Sequence, residues 1–512
     1  MKSKITPRSV GETEWTWTIF GLAFLFGAIV RLLPAFLAGF PINDGGMFAV
    51  MIRDLLASHL SLPAFTTYNY SNIPFAYPPL GLYLGALFEL LGISDLQVLL
   101  WLPAFLAAAT LPLFYLLAFE LLDSRPRAAV AAVFFALAPG SYVWYLMGGG
   151  LTRVLGADFF ILSLYFVHRS FRENGWRSVI LATLFCTLTV LSHPQYALLT
   201  VTGSAVFWLF GGRARATILR AFVIAAGTLL FTSPWWAIII GRHGLGVFFS
   251  AGQSGDLKIS LSALLASLFY RQTIIPFATI FWLLGLAWAI YKRRVDLLLW
   301  GFLPYFIDQR SAPITKSFLY PILAAYGVMD VLPALIHLLL TRKRRRAFET
   351  DDTLFNQRAL SLGLLGVIFY LFIECLFFVN VIQNLALPYP ARHTMAWARK
   401  NTTVDGSFLI LTGDGDVMTD PIQEWFPALS DRRSVTTLQG LEWTLNADFG
   451  VRWRQLTSLQ GCRDLDCIDK WTQRMELKFT HIIVDKSAFP VETFSSGGYQ
   501  VIFDNGQYAI LR

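Results

Sequence analysis

The sequence predicts an α-helical bundle that crosses a membrane many times and carries a small α/β domain at its C-terminal end. Hydrophobic residues make up 55% of the 512 residues and charged residues only 14%, and the mean hydropathy is +0.54. Soluble domains carry about 25% charged residues. Long apolar segments recur along most of the chain, whereas its last part alternates short apolar runs with turn residues. Soluble, disordered and fibrous classes are therefore excluded.

The charge distribution supports a membrane protein. The formal net charge is +8, and the basic excess lies before residue 388, between the hydrophobic segments. Cationic loops between apolar segments are typical of cytoplasmic loops in membrane proteins. This pattern argues against a nucleic-acid-binding protein, whose basic residues would cluster on one face.

The first apolar segment, from about Trp15 to Ala38, is longer than the apolar core of a signal peptide and predicts a retained transmembrane helix. Further helices are predicted near 79–93, 97–119, 128–147, 154–167, 178–192, 195–210, 218–240, 273–291, 295–307, 317–340 and 359–380. Segment 79–93 is short, and if it crossed, the Arg125/Arg127 loop would lie outside. We predict that it lies at the membrane surface or re-enters, which leaves about eleven crossings.

Basic residues in short loops predict the orientation. The loops near 125–127, 169–177, 213–220, 292–294 and 342–346 should be cytoplasmic. The N-terminus is then inside and the C-terminus outside, and residues 39–96 form one large outer loop. We expect residues 1–387 to form the membrane-embedded module of an integral plasma-membrane protein, and residues 388–512 to form an extracytoplasmic domain.

The C-terminal part reads as a small α/β domain. Predicted strands are Ser407–Leu411, His481–Val484, Gln500–Phe503 and Ala509–Arg512, and predicted helices are His393–Lys400, Pro421–Leu429 and Cys467–Met475. Asp504-Asn505-Gly506 predicts a hairpin turn. Cys462 and Cys467 can form a small-loop disulfide if this part is extracytoplasmic, and the sequence leaves that open.

Two acids on the outer side are candidate catalytic residues, because ionisable groups at membrane depth are expensive to retain. Asp44 follows the first helix in the stretch Asn-Asp-Gly-Gly, where it serves as a catalytic carboxylate, as the N-cap of the next helix, or as both. Asp158 is the second acid. It can orient an acceptor, hold a divalent metal or raise the pKa of its partner, or simply pair with Arg153.

Other outer residues complete the predicted site. Several cations near one interface can bind a phosphate or pyrophosphate group, although each alone can equally contact lipid headgroups. These cations are Arg153, Arg271, Arg310 and Lys316. The predicted substrate pocket contains Tyr77, Tyr83, His193 and His243, and loop 241–272 is either a lid or a connector.

These residues resemble the pattern of the GT-C superfamily of integral-membrane glycosyltransferases. The similarity is greatest to the family 39 branch, with protein O-mannosyltransferases and lipid A aminoarabinose transferases. Four features carry the resemblance: the acid after the first helix (Asp44), a proline-aromatic stretch opening a juxtamembrane helix (Tyr77 to Tyr83), a second outer acid (Asp158), and an outward C-terminal domain.

The resemblance implies transfer of a sugar from a polyprenyl-phosphate donor to an acceptor hydroxyl on the extracytoplasmic face. Asp44 is then the general base, Asp158 the second acid, and the four cations are candidates for the donor phosphate. The acceptor is a glycan, lipid or protein. The sequence departs from the family pattern at two positions. Gly45 stands where the family often has an acidic residue, and Tyr77 stands where it has a basic residue before the proline of the juxtamembrane helix. The tryptophan-tryptophan-aspartate signature of oligosaccharyltransferases is missing, so a divalent metal stays open and no cofactor is certain.

Two other classes compete with this interpretation. A transporter or flippase of lipid-linked or small polar substrates predicts repeated halves and mid-bilayer charges, but the sequence has no evident repeat and its notable charges lie at the outer rim. A scaffold that only anchors the C-terminal part does not need eleven crossings. Trp425, Glu442 and Trp443 either stack on a sugar or belong to the core of the domain.

Overall fold

The computed structural model describes residues 11–173, 175–211, 215–253, 277–308, 311–340, 358–495 and 497–512. Most of these residues are helical. The α-helices up to residue 383 are α1 Glu12–Ala38, α2 Gly46–Ala57, α3 Leu80–Leu90, α4 Asp95–Leu122, α5 Arg125–Ala136, α6 Val143–Leu146, α7 Gly150–Arg172, α8 Trp176–Ser192, α9 Pro194–Gly211, α10 Arg215–His243, α11 Gly246–Gln253, α12 Ala278–Tyr291, α13 Val295–Phe302, α14 Pro304–Ile307, α15 Ala312–Tyr326, α16 Leu332–Leu340 and α17 Arg358–Gln383. A π-helical turn, Gly327–Val331, joins α15 to α16.

Several of these helices have the length and composition of membrane spans. Among the described residues, six segments qualify: Glu12–Ala38, Asp95–Leu122, Gly150–Arg172, Arg215–His243, Ala312–Ile336 and Ser361–Gln383. Four shorter apolar helices accompany them: Leu80–Leu90, Trp176–Ser192, Ala278–Tyr291 and Val295–Ile307. These segments support a multi-pass membrane protein. The count of eleven crossings and the orientation remain predictions.

Helix α5 lies at the centre of the bundle, where it packs against α1, α4 and α15. Every residue from Ala128 to Ala136 is buried, and five of these nine are alanines. Small side chains allow neighbouring helices to approach closely, which stabilises helix packing where lipid rather than water surrounds the bundle. Helix α7 lies beside this centre and contacts α4, α8 and α9.

The segment predicted at 128–147 is not one helix. Helix α5 ends at Ala136, and a 3-10 turn at Pro139–Ser141 separates it from α6. The break leaves carbonyl groups without helical partners inside the bundle. The fully buried Arg31 satisfies two of them, because its guanidinium donates to the carbonyl oxygens of Ala136 at 2.7 Å and Phe135 at 3.3 Å. The prediction of a continuous segment was wrong at this point.

The first outer loop contains α2, the short antiparallel hairpin of β1 (Phe65–Thr66) and β2 (Ile73–Pro74), and α3. Helix α3 begins directly after Pro79, as predicted from the proline pair. Its 11 residues extend about 16 Å, well short of a hydrocarbon core of about 30 Å. The helix packs against α2, α4 and α7.

The C-terminal part is a mixed sheet with helices. Its strands are β3 Ser407–Leu411, β4 Arg433–Ser434, β5 His481–Asp485, β6 Val501–Asp504 and β7 Tyr508–Leu511, in the order β4-β3-β5-β7-β6. Strand β3 is parallel to β4 and β5, whereas β7 is antiparallel to β5 and β6. The helices are α18 Tyr389–Asn401, α19 Pro421–Ser430, α20 Phe449–Gln460, α21 Leu465–Arg474 and α22 Glu492–Ser495. The four predicted strands and three predicted helices are confirmed, and Cys462 and Cys467 form a disulfide.

The two faces of this sheet belong to different hydrophobic cores, because successive side chains of a strand point to opposite faces. Leu409 and Leu411 pack into a core with α20 and α21. Phe408 and Ile410 pack into a core that also contains α2, α3 and α19. The first outer loop and the C-terminal sheet therefore share one core.

Candidate active site

Asp44 lies in the short loop 39–45, between α1 and α2. Two backbone hydrogen bonds hold this loop: the Gly148 N–H donates to the Ile42 carbonyl oxygen at 2.9 Å, and the Asn43 N–H donates to Leu385 at 3.2 Å. Gly148 lies so close that a Cβ atom added there would be 2.0 Å from the Asp44 carbonyl oxygen. The path of the loop is therefore set by the segment before α7 and by the segment after α17.

The Asp44 carboxyl group points toward the beginning of α7. Its Oδ1 accepts the Gly149 N–H at 3.2 Å. Burial raises the pKa of Asp44, while the charge of Arg153 and the Gly149 N–H lower it. Gly45, and not Asp44, occupies the N-cap position of α2, and it contributes no capping side chain. The alternative role of Asp44 as the cap of this helix was therefore wrong, and its carboxyl group is left for other partners.

Helix α19 of the C-terminal part contacts the same loop through two residues to which the sequence assigned no catalytic role. The Glu424 Oε1 accepts the Gly45 N–H at 2.9 Å, and the Trp425 Nε1 donates to the Asn43 carbonyl oxygen at 2.7 Å. Trp425 is fully buried and packs edge-on against Phe40. It is thus a core residue and not an exposed stacking platform. The one signal for Glu424 in the sequence is an acid on an otherwise apolar helix face.

Arg153 and Tyr77 lie near Asp44. Arg153 lies one turn beyond Gly149 in α7, donates to the Trp144 carbonyl oxygen at 3.2 Å and stacks over the Trp144 ring. Within the described residues, Arg153 forms no ion pair with a carboxylate, so most of its five N–H donors remain available. Burial raises the pKa of Tyr77, and the charges of Arg153 and Asp44 act on it in opposite directions.

Aromatic and polar side chains extend this pocket along α7. The Tyr77 ring meets Trp443 at 6.1 Å and His193 at 6.3 Å, and His193 meets Tyr196 at 5.6 Å. The hydroxyl groups of Tyr145 and Tyr196 share a hydrogen bond of 2.7 Å. The structure thus groups Asp44, Tyr77, Arg153 and His193, as expected of a common site.

Asp158 lies deeper in α7. It is eight residues after Gly150, which corresponds to about 12 Å along the helix axis. Its side chain is 5% exposed, and its Oδ1 has no hydrogen-bond partner among the described residues. The alternative of a simple Asp158–Arg153 ion pair was wrong. The acid that contacts the Asp44 loop is Glu424 instead.

The remaining predicted residues lie elsewhere. The Tyr83 hydroxyl donates to the Leu60 carbonyl oxygen at 3.0 Å, and the His243 ring packs edge-on against Phe65 at 5.0 Å. The Lys316 Nζ lies 5.3 Å from the centre of the Tyr305 ring. Arg271 and Arg310 fall outside the described residues.

The C-terminal part contributes two acidic residues to this side of the pocket, Glu424 and Glu442. Burial and the charges of Asp44 and Glu442 raise the pKa of Glu424 well above its usual range, although the N–H groups of Gly45 and Met47 lower it. No group of three or more His, Cys, Asp or Glu side chains that could hold a metal ion occurs in the part of the chain that the structure describes.

Comparison with known proteins identifies the architecture. No protein-family model matches the chain, and no curated protein matches its sequence. The structure of the archaeal oligosaccharyltransferase AglB from Archaeoglobus fulgidus, in complex with an inhibitory peptide and a dolichol-phosphate, is similar with a TM-score of 0.56. The similarity covers 93% of this chain and 70% of that chain at 14% sequence identity.

A second structure of the Archaeoglobus fulgidus oligosaccharyltransferase, a complex with Zn and sulfate, gives a TM-score of 0.54 over 91% of this chain and 68% of that one, at 14% identity. The chain shares its fold with this oligosaccharyltransferase. The predicted resemblance to GT-C glycosyltransferases is therefore confirmed at the level of the fold, whereas the placement in the family 39 branch remains a prediction. At this level of identity the likeness concerns the fold alone.

Proposed function

We propose that the chain is a membrane glycosyltransferase. It transfers a sugar from a polyprenyl-phosphate donor to an acceptor hydroxyl on the extracytoplasmic face. The observation that carries the proposal is the position of Asp44: a partly buried carboxyl group under the influence of Arg153, where the helical bundle meets the C-terminal part in a GT-C fold. An oligosaccharyltransferase of this fold has been captured with a dolichol-phosphate, which supports a lipid-phosphate donor.

In this reaction Asp44 acts as the general base. Its carboxylate accepts the proton of the acceptor hydroxyl while the hydroxyl oxygen forms a bond to the anomeric carbon. The bond from that carbon to the donor phosphate oxygen breaks, and the phosphate leaves with the electron pair. Because burial raises the pKa of Asp44, the carboxylate is a stronger base than an exposed aspartate.

Arg153 is the best supported of the four phosphate-binding candidates. Its guanidinium carries a charge without a carboxylate partner among the described residues and lies close enough to act on Asp44. A guanidinium can bind a phosphate through two parallel N–H bonds and stabilise the charge that develops on the leaving group. Lys316, Arg271 and Arg310 remain candidates for the same role.

Asp158 and the aromatic residues complete the proposed pocket. An acid buried in an apolar helix is costly to keep and is a functional hypothesis by default, so we retain Asp158 as a second acid that orients a substrate. Tyr77 and His193 lie on the route between Asp44 and the Tyr145–Tyr196 pair and are the proposed contacts for the sugar. Tyr83 and His243 are peripheral candidates.

A divalent metal requires a suitable donor set, and the described residues do not supply one. Asp44 and Glu424 are two acids near one loop, but Glu424 is occupied with backbone N–H groups. We derive no step through a metal, although the related oligosaccharyltransferase structure is a Zn complex. The Cys462–Cys467 disulfide supports an oxidising, extracytoplasmic location for the C-terminal part.

Sugar transfer by the purified protein in detergent tests this proposal, with a panel of polyprenyl-phosphate sugars as donors. We expect one donor to react and Asp44→Asn to abolish turnover without loss of donor binding. The matched control is Asp466→Asn, which alters an exposed aspartate of α21. If no donor reacts with or without divalent metal, or if Asp44→Asn remains active, the proposed donor class or the role of Asp44 is wrong.

A further inference from the structure

Helix α2, which follows Asp44, has no capping side chain of its own. Its N-cap residue is Gly45, and no side chain from that position accepts a hydrogen bond. The first N–H groups of a helix have no partners within the helix and need acceptors from elsewhere. Here the Gly45 N–H donates to the Glu424 Oε1 at 2.9 Å, and the Met47 N–H lies near enough to lower the pKa of Glu424. A residue of the C-terminal part therefore caps α2.

The environment of Glu424 indicates that the role of its carboxyl group is to accept the N–H at the start of α2. The residue is 6% exposed and is followed in α19 by the fully buried Trp425 and Phe426. It forms no ion pair within the described part of the chain. A carboxyl group in such a place is unfavourable unless it is hydrogen-bonded, and the N-terminus of α2 provides both N–H donors and a favourable helix dipole.

The capping of α2 by Glu424 affects Asp44, the residue just before the N-cap position. Aspartate is among the preferred N-cap residues, and Asp44 directly precedes the first turn of α2. Because Glu424 accepts the N–H at the start of that turn, the Asp44 carboxyl group does not serve as the cap and faces Gly149 and Arg153 instead. We propose that Glu424 is a positioning residue for Asp44, which caps α2 from the C-terminal part and thereby keeps the Asp44 carboxyl group in the active site.

Further contacts of α19 attach the C-terminal part to the loop that carries Asp44. The Trp425 Nε1 donates to the carbonyl oxygen of Asn43, the residue just before Asp44. The Tyr68 hydroxyl donates to the Glu424 carbonyl oxygen at 2.7 Å. A Cβ atom added at Gly46 would lie 2.7 Å from that same carbonyl oxygen, so the two elements are in direct backbone contact. The active-site loop is thus complete only when the C-terminal part is docked.

The kinetic part of this inference rests on the proposed function, whereas its structural part can be measured without activity. Hydrogen exchange of the backbone amides in residues 40–49 reports the cap directly. We expect Glu424→Ala to accelerate exchange at Gly45 and Met47, and Glu424→Gln to preserve protection because its side-chain oxygen still accepts. Asp420→Ala is the control: it removes the N-cap of α19 itself but leaves the Glu424 carboxyl group unchanged.

Turnover then tests whether the cap acts through Asp44. We expect Glu424→Ala to lower kcat by about tenfold to 100-fold, the range for a buried N–H left without an acceptor, and Glu424→Gln to lower it by less than about threefold. Donor binding should be unchanged in the Glu424→Ala protein, whereas a general structural defect would weaken donor binding as well as turnover. Glu424→Asp, with a shortened carboxylate, replaces the alanine variant if that variant does not fold.

Unchanged exchange in the Glu424→Ala protein, equal loss of turnover in the glutamine and alanine variants, or a loss of donor binding that matches the loss of turnover would each overturn the proposal. If the wild-type protein transfers no sugar but exchange responds as expected, the cap is retained and only the proposed function fails.

Discussion

Gly148→Ala is the substitution that most directly tests the geometry around Asp44. The added Cβ atom would lie 2.0 Å from the Asp44 carbonyl oxygen, and real Cβ contacts under 3.0 Å essentially do not occur. Loop 39–45 or the start of α7 must therefore move by about 1 Å. A displacement of about 1 Å in a catalytic group can lower the rate about 100-fold, or about 2.7 kcal/mol in transition-state stabilisation.

The assay is sugar transfer under saturating donor, together with donor binding measured separately. We expect a large fall in kcat with little change in donor affinity, because Gly148 contacts the loop that carries the proposed base. Gly363→Ala in α17 is the control, since no heavy atom lies within 4 Å of its added Cβ. A Gly148→Ala enzyme that keeps kcat within about threefold of the wild type, while Asp44→Asn is inactive, would refute the close approach of this loop to Gly148.

Further predictions concern charge and stability. Arg153→Gln removes the positive charge that lowers the pKa of Asp44, so this pKa should rise; since the base works deprotonated, the acidic limb of the kcat/KM profile should move to higher pH, and an unmoved limb contradicts the coupling. Arg153→Gln should weaken donor binding at least tenfold, with Arg153→Lys less affected; equal binding by all three proteins excludes Arg153 from the phosphate site. Arg31→Met leaves the Ala136 carbonyl group without its side-chain donor, at a cost of about 1–3 kcal/mol, whereas the Phe135 carbonyl group keeps the Ser141 hydroxyl; the thermal midpoint in detergent should therefore fall, and an unchanged midpoint means that the Arg31–Ala136 bond contributes nothing.

Local patterns predicted the secondary structure of this chain well. The alternating strands at Ser407–Leu411 and His481–Asp485 and the helix after Pro79 appear where apolar periodicity and proline placed them. The prediction failed at 128–147, because an apolar run in a bundle does not reveal that a buried Arg31 can satisfy the carbonyl groups of a broken helix. Composition alone cannot distinguish one long helix from two short ones joined by a turn.

The candidate site was predicted in part. Asp44 and Arg153 were recognised as unusual ionisable residues at the outer end of apolar helices, and the structure brings them together. Asp158 was expected to face Asp44, but eight residues of helix separate it from the Gly149–Gly150 corner. Sequence order says that both acids lie on one side of the bundle, whereas the helical rise decides how deep each one lies.

The sequence by itself determined that the protein is a multi-helix membrane protein with an α/β C-terminal part, because apolar length, charge content and period-2 alternation are local properties. Only the tertiary structure decided which acid accompanies Asp44. Glu424 is separated from Gly45 by 379 positions, yet its carboxyl group caps α2. Such a contact depends on how the C-terminal sheet shares its core with the first outer loop, and the packing of two distant surfaces is not encoded in the pattern of either segment alone.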